Sequence, residues 1–261
     1  MFLNSQMDEF VSFANILADE SAKIVMQYFR QTFVTENKDD NTPVTIADKK
    51  SELKIRELIN NKYPNHGVLA EEFVNVNLDS DFIWVIDPID GTRSFIAGHK
   101  DFGTLIALLY KKKPVLGIIS CPAHSERWVG IHNQPTTLNG NIVKTSNIEE
   151  VKNSYAFTSG LYFEDKVFRT GFDLVIEQTK YYRFGGDCYM YGMLASGLID
   201  IVIEDTLKAY DYMALVPVIE GAGGIVTDKN NQKISLDSGG SIIATANSKL
   251  HDQVIKVLKN D

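Results

Sequence analysis

The chain has 261 residues, of which 44% are hydrophobic, 10% aromatic and 23% charged. That composition excludes disordered, collagen-like and low-complexity chains, and the length supports one large domain or two compact ones with ample core. Lysine and arginine total 26 against 34 acidic residues, a formal charge of −8, which argues against broad phosphate-backbone binding as the main task while leaving room for a local basic patch, and no nucleic-acid partner is expected.

The first segment reads as an amphipathic helix: Phe10, Phe13, Ala14, Leu17, Ser21, Ile24, Val25 and Tyr28 recur at three- and four-residue steps. The polar stretch from Thr35 to Pro43 breaks that pattern and predicts an exposed loop. A second helix is expected from Ala47 or Asp48 to Lys62, ended by Pro64, Asn65 and Gly67. Phe82 to Ile86 is a short apolar run closed by Asp87-Pro88, which predicts a buried strand ending in a loop. Further strands are predicted at Thr104 to Tyr110, Val115 to Ser120 and Glu126 to Ile131, with Lys111-Lys112-Lys113-Pro114 as a hairpin tip. Beyond Asn147 the pattern gives a strand at 154–158, a helix at 187–196, a strand at 199–204, a helix at 211–222, a strand at 241–245 and a helix at 248–259. The order predicts an α/β chain of layered α+β type, with an N-terminal half of residues 1–146 and a C-terminal half of residues 147–261 in one compact unit.

Two cysteines, Cys121 and Cys188, are spaced too far apart for a CxxC pair and are expected as reduced thiols of a cytosolic protein. The segment Met1 to Glu9 lacks a basic start, and Asp8, Glu9, Asp19 and Glu20 argue against a transit peptide. The longest apolar run, Phe102 to Tyr110, is too short to cross a bilayer. A cytoplasmic protein with no membrane partner is the expectation.

The chemistry lies in where the carboxylates fall. Asp87 and Asp90 follow the apolar run 82–86, in Asp87-Pro88-Ile89-Asp90-Gly91-Thr92. An acid at the end of a buried strand is costly unless positive charge meets it. Pro88 sets a turn that can return Asp90 to the side of Asp87, Gly91 permits close backbone approach, and Thr92-Arg93-Ser94-Phe95 can open a helix whose free N–H groups face an anion. Glu71-Glu72 follows the apolar pair Leu69-Ala70, and Asp211 opens an apolar helix. An all-oxygen set of Glu71, Asp87, Asp90 and Asp211 suits Mg²⁺, or Mn²⁺ in its place, better than Zn²⁺. Taken singly, each acid has a plainer role: Asp211 as a helix N-cap, Asp87 as a turn residue, Glu71-Glu72 as a solvated face.

Taken together, these blocks resemble the inositol monophosphatase family. The resemblance rests on Trp84-Val85-Ile86-Asp87-Pro88-Ile89-Asp90-Gly91-Thr92, on Asp211-Tyr212-Met213-Ala214 followed by Glu220-Gly221-Ala222-Gly223-Gly224, and on the shorter blocks Leu69-Ala70-Glu71-Glu72 and Thr45-Ile46-Ala47-Asp48. It implies an αβαβα sandwich, Mg²⁺-dependent hydrolysis of small phosphate monoesters, and a homodimer. Carried over by position, it implies that Glu71, Asp87 and the carbonyl of Ile89 bind one metal, and that Asp87, Asp90 and Asp211 bind a second. Glu71 and Thr92, with Asp48 behind Thr92, are implied to orient and activate the attacking water, and the amides of Gly91 and Thr92 to hold phosphate oxygens. Some members hold a third metal through an Asp at the position of Thr42. Asp39 or Asp40 is the available substitute here.

Three features resemble the histidinol-phosphatase branch: Arg93-Ser94 after Thr92, the block Glu126-Arg127-Trp128, and Arg183-Phe184-Gly185-Gly186-Asp187-Cys188-Tyr189. Histidinol phosphate carries an ammonium and an imidazole, so Asp187 and Glu204 are read as partners of the ammonium and Glu126 of the imidazole, with Arg183 on phosphate or bracing Asp187. The expected reaction is hydrolysis of L-histidinol phosphate, a step of histidine biosynthesis. The rival readings are an inositol-1-phosphate or sugar-phosphate phosphatase, and a regulatory interaction protein on a phosphatase scaffold. Asp187 also reads as an N-cap, and Cys188 as a packing residue. His66, His99, His124, His132 and His251 lack ligand spacing and are expected at the surface or in loops.

Overall fold

The computed structural model describes residues 4–32, 35–37 and 43–259. The chain starts with α1 (Asn4–Tyr28), a ribbon of β1 (Thr35–Asn37) and β2 (Pro43–Thr45), then α2 (Ile46–Lys62) and β3 (Gly67–Ala70). β4 (Phe82–Asp90), α3 (Thr92–Ile96), β5 (Gly103–Tyr110), β6 (Lys113–Cys121), β7 (Glu126–Ile131), β8 (Thr137–Leu138) and β9 (Asn141–Ile142) follow. The second part runs β10 (Tyr155–Thr158), α4 (Lys166–Gln178), β11 (Tyr181–Phe184), α5 (Asp187–Ala195) and β12 (Ile201–Glu204). It closes with α6 (Ala209–Tyr212), α7 (Leu215–Gly221), β13 (Ile225–Thr227), β14 (Ile242–Thr245) and α8 (Ser248–Lys259).

Two sheets carry the fold. A seven-stranded sheet runs β3-β4-β5-β6-β7-β8-β9, and a five-stranded sheet runs β11-β10-β12-β14-β13. Strand residues alternate between faces, and the cores follow that alternation. Trp84 and Ile86 of β4, with Ile106 and Leu108 of β5, pack against Phe10, Phe13 and Leu17 of α1 and Ile55 and Ile59 of α2. Ile83, Val85, Leu105 and Ala107 point the other way, into a core shared with Leu194 of α5, Val218 and Ile219 of α7, Val202 of β12 and Ala244 of β14. Ile201, Ile203 and Ile243 face outward from the second sheet and meet Phe172 and Val175 of α4 and Leu250 and Val254 of α8. The layers are therefore helices, sheet, helices, sheet, helices, the αβαβα sandwich. The middle layer lies close because two strands offer glycine: a Cβ on Gly117 would come 2.1 Å from the Ala214 carbonyl oxygen, and one on Gly130 2.4 Å from Pro217.

Several elements depart from the sequence reading. The 35–43 stretch carries an antiparallel ribbon pairing Thr35 with Thr45 and Asn37 with Pro43; Asp39, Asp40 and Thr42, the third-metal positions, lie outside the described residues. β4 does not stop at Asp87-Pro88 but continues to Asp90, because a bulge there accommodates a residue without an N–H. The expected helix over 211–222 is two helices, α6 and α7. Pro217 has no N–H for the Met213 carbonyl and its ring crowds that oxygen, so a helix cannot run through 213–217. His251 is not a surface histidine: it is 3% exposed, bonded to Thr227 Oγ1 and Thr245 Oγ1 at 3.0 Å each, and burial holds its pKa down to about 4. β3, α4, β11 and β13 have no counterpart among the elements expected from the sequence pattern.

Candidate active site

The site forms where β3 ends and β4 runs on past it, beside α2, α5 and α6. β3 pairs parallel with β4, with Ala70 opposite Ile86, so the next residues, Glu71 just past β3 and Asp87 within β4, stand side by side. Asp87 and Asp90 are three apart, a spacing that would place them on opposite faces of a regular strand. The bulge changes this: Asp87 pairs with Leu105 and Asp90 with Gly103, so two residues of β4 oppose Thr104 alone and both acids face one side. Thr104 Oγ1 donates to the Pro88 carbonyl at 2.9 Å, and Ser21 Oγ lies 2.6 Å from Thr104 Oγ1 and 2.8 Å from Ser51 Oγ. This hydroxyl chain fastens the bulge to α1 and α2. Asp87 Oδ1 accepts from the Ile89 amide at 2.9 Å.

Asp211 reaches the same corner from α6. It is not the N-cap: Lys208 is, and Asp211 stands three residues on, accepting from the Lys208 amide at 2.7 Å. Asp90 accepts from the Cys188 amide in the first turn of α5 at 2.6 Å. Asp87, Asp90 and Asp211 thereby bring carboxylate oxygens within 4.8 Å of one another. Burial is the first cause that pushes all three pKa values up, and the charges of their neighbours add to it: Glu71, Asp90 and Asp211 for Asp87, and Asp187, Asp211 and Glu204 for Asp90. Asp211 rises to about 7, although the Lys208 amide and a hydrogen bond with Asp87 pull the other way. One buried and two half-buried carboxylates crowded this closely fit a divalent cation, and an all-oxygen donor set fits Mg²⁺ or Mn²⁺.

Behind them stands Asp48, fully buried in the first turn of α2. Its Oδ2 accepts from the Thr45 amide at 2.8 Å and the Thr45 hydroxyl at 2.6 Å, and its Oδ1 lies 3.4 Å from the Thr92 hydroxyl. Burial, with Glu71 adding its charge, raises Asp48 to about 6 against the pull of those donors. Thr92 Oγ1 also donates to the Ile89 carbonyl at 3.0 Å, so Asp48, Thr92 and Ile89 are linked. Gly91, at φ +79°, turns the chain from β4 into α3. A Cβ there would meet the Asp187 side chain at 2.8–3.0 Å, so glycine is required by both backbone and neighbour.

The expected substrate residues divide. Asp187 lies against the Gly91 turn and accepts from Ser94 Oγ at 2.5 Å. Burial raises its pKa, countered by Ser94 and by the nearby His99 and Arg93. Glu204 is buried and accepts from Tyr191 Oη at 2.6 Å and the Ser159 amide at 3.3 Å; burial lifts it to about 7. Glu126 hydrogen-bonds the Tyr189 hydroxyl, which helps hold that phenol protonated after burial itself. Tyr189 stacks on His124 at 4.0 Å, and His124 Nε2 lies 2.9 Å from Asp101 Oδ1. Arg183 does not brace Asp187: its side chain is exposed on the edge strand β11, while Ser94 holds the carboxylate. Arg127, between Glu126 and Trp128, turns to the other face and ties Asn15 and Asp19 of α1. Sequence reasoning missed Tyr191 and Thr45, although Thr45 stands at the spacing of a capping box before Asp48.

The layered sandwich and the all-oxygen acid cluster that could hold a metal at one end of its first sheet are matched by a family of phosphatases. The chain belongs to the inositol monophosphatase family, whose family model matches residues 6–261. It is 40% identical to the bifunctional phosphatase IMPL2, chloroplastic, of Arabidopsis thaliana, over 98% of this chain and 77% of that protein. It is 32% identical to a histidinol-phosphatase of Chlorobaculum parvum, over 94% of each chain. The solved inositol monophosphatase from Zymomonas mobilis superposes with a TM-score of 0.88 at 38% identity, over 97% of this chain and 98% of that one. The family is metal-dependent, typically on magnesium, and acts on small phosphorylated substrates. Among the described residues no helix is long and apolar enough to cross a membrane.

Proposed function

We propose that this chain is a cytoplasmic, magnesium-dependent histidinol-phosphatase, converting L-histidinol phosphate and water to L-histidinol and orthophosphate. The observation that carries the substrate is Asp187, a carboxylate seated against the Gly91 turn and held by Ser94. A phosphate at that turn puts the ammonium of histidinol within reach of a fixed negative group. Asp101, Glu126 and the stacked His124 and Tyr189 extend the same rim with acceptors and aromatic faces suited to an imidazole. Glu204 adds negative potential behind them. The relatives named histidinol-phosphatase support the reading.

In this reading Glu71, Asp87 and the Ile89 carbonyl hold one cation and Asp87, Asp90 and Asp211 another. Bound magnesium supplies positive charge that eases deprotonation of water and offsets charge on the phosphate oxygens. Thr92, held between Asp48 and Ile89, and Glu71 orient the attacking water. The amides of Gly91 and Thr92, at the start of α3 and without partners inside that helix, donate to phosphate oxygens. The water oxygen bonds to phosphorus as the ester P–O bond opposite breaks, and the proton the water gives up is taken by the departing alkoxide, which leaves as the alcohol. Residues 1–146 thus supply most of the metal ligands, and residues 147–261 supply Asp211, Asp187, Glu204 and an exposed cation, Arg183, that attracts the incoming dianion.

The test is a substrate panel with magnesium and then with EDTA. Histidinol phosphate should be turned over in preference to inositol-1-phosphate, and EDTA should abolish both activities. Asp187→Asn should lower kcat/KM for histidinol phosphate by about 10- to 100-fold, the scale of a lost charged contact, and leave an aryl phosphate within about threefold. Equal turnover of the two natural esters, or a uniform loss in the variant, overturns the assignment.

A further inference from the structure

We infer that Glu52 is a positioning residue for Glu71: its buried carboxylate fixes the turn that follows β3 and so sets where the Glu71 side chain stands beside Asp87. This inference rests on the proposed metal-dependent reading of the site. Glu52 lies one helical turn after Asp48 on α2, so the same helix face carries both acids toward the end of β3. It is fully buried, and a glutamate is placed there only when its charge is met. Each of its acceptors is committed. Oε2 takes the Glu72 amide at 2.7 Å, and Oε1 takes the Phe73 amide at 3.1 Å and Arg56 Nε at 2.7 Å.

Those two amides are the first after Glu71. A chain leaving a sheet with its N–H groups in the protein interior must find acceptors for them, and one side chain provides for both. Arg56 completes the clasp, donating from Nη2 to the Phe73 carbonyl at 3.0 Å. On the far side of the turn, Asn75 Oδ1 accepts from the Ala70 amide at 3.0 Å, and Val68 and Val76 exchange backbone hydrogen bonds at 2.9 and 3.0 Å. The backbone on both sides of Glu71 is thereby held, at Ala70 by the sheet and at 72–73 by Glu52. A carboxylate carried on an unheld turn would sample several positions relative to Asp87. Held, it is presented at one. Glu52 touches neither phosphate nor water in this arrangement and acts through Glu71.

The test uses the full chain and Glu52→Gln, which keeps the volume and one acceptor but sets an NH₂ against the N–H donors. Magnesium affinity by calorimetry and kcat should each fall by about 10- to 100-fold, the range for groups that orient metal ligands, with KM within about twofold. Raising magnesium should recover most of kcat, a response that general loss of folded protein would not give. Amide exchange should show lost protection at Glu72 and Phe73 and retained protection in β4 and β5. If Glu52→Gln folds poorly, Arg56→Lys loosens the same clasp and should shift magnesium affinity in the same direction. Magnesium affinity and kcat within twofold of the parent, with amides 72 and 73 deprotected, overturn the inference and leave the metal-dependent reading standing. A parent protein that takes up no magnesium overturns both.

Discussion

Replacing Asp211 by asparagine should make the metal-free protein more stable at neutral pH and remove most of its response to magnesium. Asp211 has an ordinary pKa of 3.8 and is raised to about 7 in the fold, burial being the largest cause. Between those values the folded chain binds a proton that the unfolded chain has released, so stability falls as pH rises. The contribution is fully present below pH 3.8 and is lost by the time pH passes about 7. At about 1.4 kcal/mol per pH unit, the stretch from pH 5 to 7 is worth about 3 kcal/mol for a fully desolvated group. Asp211 is half-buried and keeps some water, which brings the expectation to about 1–3 kcal/mol.

The asparagine side chain removes the ionisation and keeps the geometry, because its carbonyl still accepts from the Lys208 amide and its NH₂ can donate to Asp87. Urea unfolding in EDTA should therefore show the parent losing stability from pH 5 to 8, and the Asp211→Asn protein losing less, with the gap widening toward pH 8. With magnesium at about 100 times its Kd the parent should gain about 2.7 kcal/mol, and the variant far less. A metal-free parent that grows more stable from pH 5 to 8, or a variant less stable than the parent in EDTA at pH 8, refutes the reasoning that this corner is a crowded set of carboxylates strained without a cation.

Gly91→Ala should cost about 1–2 kcal/mol through its left-handed φ alone, and its Cβ should displace Asp187; kinetics should show the loss falling more on histidinol phosphate than on an aryl phosphate. Leu250→Ala, in the outer core between α8 and the second sheet, should cost about 2–5 kcal/mol in urea unfolding while calorimetry shows magnesium affinity unchanged, since that core lies away from the acid corner.

The parts of this fold that are legible in the sequence are those set by local pattern. α1, α2 and α8 carry apolar residues at helical spacing, and β5 to β7 read as continuous or alternating apolar runs, so their bounds follow within a few residues. The acids of the site are legible as a set because each stands in a distinctive local block. Their arrangement is not, because it depends on pairing between distant segments. Glu71 stands beside Asp87 only through the parallel register of β3 on β4, and a strand as short as Gly67–Ala70 carries too few residues to show a period. Asp87 and Asp90 share a side only through a bulge defined by what β5 places opposite, a single Thr104. In sequence Pro88 marks an interruption and reads as the end of the strand; on a bulge the missing N–H leaves no ladder bond unmade, so the strand continues.

The same reasoning separates the substrate residues. Asp187 stands out in its block, but its place against the Gly91 turn is not legible there, and its holding partner, Ser94, is 93 positions away. Arg183 shares that block in sequence and not in space, since β11 ends before α5 begins and leaves the arginine on the exposed edge. Glu204 and Tyr191 meet because α5 of the middle layer packs against β12 of the second sheet, with the phenol donating to the carboxylate at 2.6 Å. A carboxylate in such a place keeps its electrostatic field while its oxygens are already occupied. In the proposed reading it would act on the substrate ammonium through distance and charge, whereas Asp187, to which Ser94 alone donates among the described residues, has acceptor capacity left for direct contact.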